Sequence, residues 1–147
     1  VSAGGSYFIN YDKVEPYTKR LVENLQKDMA GKKSVLEATE LAFTAHFDLV
    51  TIHPFYDGNG RTSRLLMNYI QAYFNLPLAI VHKEDRLEYF QALTDARAQE
   101  DISVFQNFMK GQYQKQLIAE INAYQKIQET KELKPRTGKG RGRSLFF

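Results

Sequence analysis

A chain of 147 residues with 43% apolar and 13% aromatic side chains suffices for one domain around a single buried core. No apolar run approaches the roughly 20 residues of a membrane-spanning helix, no signal-peptide pattern opens the chain, and the absence of cysteine excludes disulfides, thiolate catalysis and cysteine-held zinc, so a cytoplasmic protein without a membrane partner is expected. The net charge of +3 resides in an acid-free stretch holding Lys134, Arg136, Lys139, Arg141 and Arg143, which leaves residues 1–133 at about −2 with no phosphate-backbone footprint, and nucleic acid is not expected as a partner.

The chain opens on Val1 rather than Met, which leads to the expectation of a cut fragment or a processed product. Residues 1–12 join a Gly4-Gly5 pair to the aromatic and β-branched run Tyr7-Phe8-Ile9, the composition of a short hairpin flap. From Val14, apolar positions at Tyr17, Leu21, Val22, Leu25 and Met29 recur at helical spacing, and Gly31 closes that helix. Ser34 and Glu37 form a capping-box pair ahead of Ala38, Leu41, Ala42, Ala45 and Leu49, which predicts a second helix to about Ile52.

Pro54 disfavours helical geometry at His53, and Asp57-Gly58-Asn59-Gly60 extends the break. A third helix is predicted from about Arg61, with Leu65, Leu66, Tyr69, Ile70 and Tyr73 on its stripe and Asn75 and Pro77 ending it. Two further helices are expected over about Lys83 to Ala98 and Ile102 to Lys110, then a long one from about Gln112 to Leu133. The predicted fold is all-α with a small N-terminal β-hairpin flap, one domain over 1–133, and a mobile basic Gly-rich tail over 134–147.

The loop between the second and third helices concentrates the chemistry. Gly58, Asn59 and Gly60 lead into a helix start, where unpaired N–H groups and the positive end of the dipole bind anions. The glycines admit close approach of a phosphate. Arg61 and Arg64 stand three apart on the next turn and can donate charge-assisted hydrogen bonds to the same group. Asp57 is a hard oxygen ligand suited to Mg²⁺, and His53 can take a proton from a hydroxyl nucleophile. Base, metal ligand, anion nest and two cations within twelve residues point to phosphoryl or nucleotidyl transfer, chemistry that needs positioning and charge neutralisation above all.

The string His53-Pro54-Phe55-Tyr56-Asp57-Gly58-Asn59-Gly60-Arg61-Thr62-Ser63-Arg64 resembles the Fic family motif, His-x-Phe-x-Asp/Glu-Gly-Asn-Gly-Arg-x-x-Arg, at every fixed position. The likeness runs from Gly4-Gly5 to about Met109 and includes Leu65-Leu66-Met67-Asn68 and Tyr89-Phe90. The resemblance implies a protein adenylyltransferase that moves AMP from Mg-ATP to a Ser, Thr or Tyr hydroxyl of a target protein. It gives His53 the role of general base, Asp57 that of Mg²⁺ ligand, Gly58, Asn59 and Gly60 that of phosphate cradle, and Arg61 and Arg64 that of phosphate clamps. Phe55 would anchor the loop in the core, Tyr89 and Phe90 would border the adenine, and a flap around Gly4, Gly5 and Ser6 would cover the nucleotide and align the target. Gly58 favours AMP transfer, because relatives with lysine there act as kinases.

Two departures accompany the match. Arg97-Ala98-Gln99-Glu100-Asp101 stands where relatives carry a shorter polar-Gly-Asp turn. No Ser or Thr is followed four residues on by Glu, so the family's restraining glutamate is expected upstream of Val1, on an antitoxin-like partner, or not at all. Removal of AMP, or transfer of another nucleotide, is the alternative within the same site, and a non-catalytic nucleotide-sensing interaction module is the alternative of another class. His46 and His82 carry no ligand pattern and read as structural or solvated, and Tyr89-Phe90 taken alone reads as core.

Overall fold

The computed structural model describes residues 2–3, 6–7 and 9–132. Ser2–Ala3 (β1) and Ser6–Tyr7 (β2) pair antiparallel, with Ser2 opposite Tyr7 and Ala3 opposite Ser6. Nearly all of the core is carried by helices: α1 (Tyr11–Met29), α2 (Val35–Ile52), α3 (Asn59–Tyr73), α4 (Arg86–Ala98) and α5 (Ile102–Glu132), with Ala79 added from the segment between α3 and α4.

The middle helix organises the rest. α2 opens on the predicted capping box, in which Glu37 N–H donates to Ser34 Oγ at 3.2 Å and Ser34 N–H donates to Glu37 Oε2 at 2.8 Å. Its buried face carries Ala38, Ala42 and Ala45, whose small side chains admit close approach of neighbours, and Phe43, Leu49 and Ile52 fill the space between them. α1, α3 and α5 all pack on α2, and α4 packs on α5. Phe43, Met67, Ile70, Phe105 and Met109 are wholly shielded from solvent and form one continuous core.

Several predicted boundaries need correction. Tyr11 and Asp12, which the sequence reading places in a flap, belong to α1. α3 begins at Asn59, two residues before Arg61, because Gly58 at φ 85° turns the chain directly into the helix. α4 begins at Arg86 rather than Lys83. Asp85 stands at its start without capping it, and the Asp85 carboxylate is engaged by Lys115 of α5 at 2.7 Å. The two final helices expected from the sequence are one. Gly111 lies inside α5 without breaking it, because Phe105, Met109, Gln112, Tyr113 and Gln116 continue a single buried stripe whose packing outweighs the roughly 1 kcal/mol that glycine costs a helix. Residues 133–147, which include the basic tail, lie outside the described residues.

Candidate active site

Between the α2–α3 loop and one face of α4 opens a cleft of about 710 Å³. His53, Asp57, Gly58, Asn59, Gly60, Arg61 and Arg64 line it from the loop side, and Arg86, Tyr89, Phe90 and Arg97 line it from α4. Four guanidiniums therefore face one space in which Asp57 is the sole carboxylate among the described residues.

The loop is built by local rules. α2 stops where Pro54 requires it to, and His53 caps the helix in left-handed geometry (φ 55°, ψ 54°) while its N–H still donates to Leu49 O at 3.0 Å. A side chain in this region costs about 1–2 kcal/mol, strain that the packed helix end and the proline hold in place. His53 Nδ1 lies 3.4 Å from Val50 O. A carbonyl only accepts, so a hydrogen bond in this contact has His53 Nδ1–H as its donor.

Asn59 acts as the loop's internal clamp. Buried at the start of α3, it accepts from Phe55 N–H at 2.9 Å and donates through its amide to Phe55 O at 2.6 Å, closing residues 55–59 into a ring. The first helical bond of α3 runs from Thr62 N–H to Gly58 O at 2.9 Å, so the N–H groups of Asn59, Gly60 and Arg61 have no helical carbonyl to bond. Gly58 N–H is taken by Asp57 Oδ1 at 2.6 Å, and the other Asp57 oxygen accepts from Arg61 at 2.9 Å. Both members of that ion pair are strongly exposed, a setting in which such pairs contribute about 0–1 kcal/mol and exchange readily for a stronger ligand.

The α4 wall is stiffer. Arg97 donates to Thr51 Oγ1 at 3.1 Å and approaches Val50 O at 3.5 Å, tying α4 to the last turn of α2 beside His53, and its burial lowers the guanidinium pKa. Arg86 lies 5.5 Å from the centre of the half-exposed Phe90 ring. Beneath them Tyr89 donates to or accepts from His46 Nε2 at 2.8 Å. Burial raises Tyr89 to about 12 and lowers His46 to about 4, the Arg64 charge adding to the His46 shift, so both stay neutral at physiological pH.

Residues 2–71, which span the loop and both helices flanking it, match the model of the Fic/DOC family. The chain is similar to Fic-domain proteins. Two curated relatives carry the name protein adenylyltransferase Fic: one from Nematostella vectensis is 44% identical over 82 residues, which cover 50% of this chain and 19% of that protein. One from Drosophila melanogaster is 45% identical over 76 residues, which cover 52% of this chain and 15% of that protein. The chain thus spans less than a fifth of the length of these relatives.

The cleft brings together His53, Asp57, Gly58, Asn59, Gly60, Arg61 and Arg64. One expectation changes, that for Phe55. Phe55 does not anchor the loop in the core, for its ring is 48% exposed and it is its backbone that Asn59 grips. The Asn59 side chain is spent on that grip, which leaves only its backbone N–H to face an anion. Tyr89 touches the cleft but is 5% exposed, with most of its ring packed against His46 and Phe105, whereas Phe90 offers an open face. Gly4 and Gly5 lie outside the described residues, as does the side chain of Ser6.

Sequence reading passed over Arg86 and Arg97 as cleft residues. A signal for them existed: positions 86, 90, 93, 94 and 97 recur at steps of one helix face, so once Phe90 is placed in the wall its helical neighbours follow. Among the described residues no group of three or more His, Asp or Glu side chains forms a metal cage.

Proposed function

We propose that this chain is a protein adenylyltransferase that transfers AMP from Mg-ATP to a Ser, Thr or Tyr hydroxyl of another protein. The observation that carries the reading is the shared cleft, in which a histidine, a helix start whose first N–H groups have no helical carbonyl to bond and four arginines line one space large enough for a nucleotide.

The triphosphate would lie along the start of α3, with its oxygens on the N–H groups of Asn59, Gly60 and Arg61 and on the Arg61 and Arg64 guanidiniums. Mg²⁺ fits the single exposed carboxylate of Asp57, since this ion keeps several waters and takes one carboxylate plus phosphate oxygens, and it would neutralise charge on the phosphates. His53 Nε2 takes the proton of the acceptor hydroxyl as its oxygen attacks the α-phosphorus. The bond from that phosphorus to the β-bridging oxygen breaks and pyrophosphate leaves. Arg61 is available for this because it is held only by an exposed pair with Asp57. Phe90, with Arg86 beside it, offers the open ring for the base, and Tyr89 backs it from below.

AMP transfer rather than phosphorylation rests on the family's use of glycine at position 58. Transfer rather than AMP removal is supported by the lack of a Ser or Thr followed four residues on by Glu in this sequence. Incubation with ATP labelled on the α-phosphate is expected to mark protein in a lysate, and His53→Ala to abolish the label while calorimetric ATP affinity stays within about threefold. Undiminished labelling by His53→Ala removes histidine as the base. ATP binding with no labelling by the parent protein favours a nucleotide-sensing module instead.

A further inference from the structure

Pro54, joined to His53 by one peptide bond, does not line the nucleotide cleft but a separate concavity of about 590 Å³ at the start of α1, together with Tyr11, Asp12, Val14, Glu15 and Lys19. We propose that this groove is the docking site for the protein substrate, and that it selects an extended segment carrying an apolar side chain close to the modified hydroxyl and Lys or Arg beyond it. The inference rests on the transferase reading above and assigns its second substrate.

Continuity with the cleft comes first. A segment that presents a hydroxyl to His53 must continue past it, and successive residues of an extended chain advance about 3.3 Å each. A groove lined by the very next residue of the loop therefore receives the neighbours of the modified residue. Open aromatic side chains stand at both concavities: Tyr11 of the groove is 91% exposed, Tyr56 of the cleft is fully exposed, and Phe55, next to Pro54 and Tyr56 in sequence, is half-exposed. Aromatic side chains left in water beside a reactive centre are the usual anchors of a protein interface.

Charge then separates the two guests. The nucleotide cleft holds Arg61, Arg64, Arg86 and Arg97 against Asp57, whereas the groove holds Asp12 and Glu15 against Lys19. Among the described residues neither Asp12 nor Glu15 takes part in an ion pair. A triphosphate is thereby drawn to the cleft and repelled from the groove, and a basic segment is drawn the other way. Such complementarity sets register and partner choice more than raw affinity.

Fluorescence anisotropy with the full chain decides the matter. The probes are labelled Ser, Thr and Tyr peptides, each with a leucine beside the hydroxyl and either arginine or glutamate pairs beyond. Arginine-flanked peptides are expected to bind at least about tenfold tighter than glutamate-flanked ones at low salt. The double charge reversal Asp12→Lys with Glu15→Lys is expected to abolish or invert that ratio, and Tyr11→Ser to weaken both sets several-fold, with ATP affinity by calorimetry and the melting temperature as checks on folding. Equal binding of the two peptide sets overturns the proposal, as does a ratio untouched by the double reversal. Tighter peptide binding after removal of residues 133–147 would overturn it too, by giving the groove to the chain's own basic tail. Failure of the transferase reading is distinguishable, because it appears as absence of α-label transfer to any acceptor while the binding measurements still report on the groove.

Discussion

The His46 imidazole and the Tyr89 hydroxyl, 43 residues apart in sequence, meet at 2.8 Å beneath the cleft and join α2 to α4. His46 is wholly shielded from solvent, stacks on Phe105 at 5.5 Å, and is held neutral by burial.

That neutrality has a pH signature. His46 titrates near 6.5 when unfolded and near 4 when folded, so the unfolded chain binds the extra proton between these values. The stabilisation is complete above about pH 6.5 and is lost as pH falls towards 4, by an amount on the order of 3 kcal/mol. Denaturant melts from pH 7.5 down to 4.5 should show this decline, and His46→Gln should flatten it. An identical slope in the variant would assign the acid sensitivity to other groups.

Tyr89→Phe keeps the ring and removes the hydroxyl, leaving His46 Nε2 buried without its partner. A loss of about 1–3 kcal/mol in unfolding free energy is expected. Because the phenyl wall of the cleft persists, ATP affinity should change little. A large loss of ATP binding with unchanged stability would instead place the hydroxyl in direct contact with the nucleotide.

Asn59→Asp tests the loop clamp more sharply than alanine does. The carboxylate still accepts from Phe55 N–H but turns a second oxygen on Phe55 O, where the amide donated at 2.6 Å. Destabilisation by about 1–3 kcal/mol and loss of α-label transfer are expected together. Normal melting with normal transfer would show that the loop holds its shape without the clamp.

Gly58→Ala places a side chain at φ 85° with its Cβ 3.5 Å from the Arg61 guanidinium. About 1–2 kcal/mol of backbone strain is expected, with weakened ATP binding as Arg61 shifts. Gly111→Ala should do the opposite: a Cβ there meets nothing within 4 Å, so α5 should gain about 0.5–1 kcal/mol in a thermal or urea melt without change in transfer. A destabilised Gly111→Ala would show that α5 needs glycine for a close approach.

The layout of the residues from His53 to Arg64 was legible in the bare sequence because the features that fix it are local. Proline ends a helix at the preceding residue, glycine alone takes φ 85° at low cost, and arginines three apart share a turn wherever the helix sits. The capping box at Ser34 and Glu37 was legible for the same reason. The second wall was not. Arg97 reaches Thr51 across 46 residues and Tyr113 reaches Pro77 O across 36, distances at which periodicity carries no information on which face meets which. Packing likewise turned Phe55 outward, drew Tyr89 inward and ran α5 straight through Gly111, since each outcome depends on how much apolar surface a neighbouring helix can cover. The order of residues by itself determined the helix-loop-helix and its reactive groups, because hydrogen bonds within a few residues dictate them. Tertiary structure alone decided what faces that loop, because burial is settled between helices.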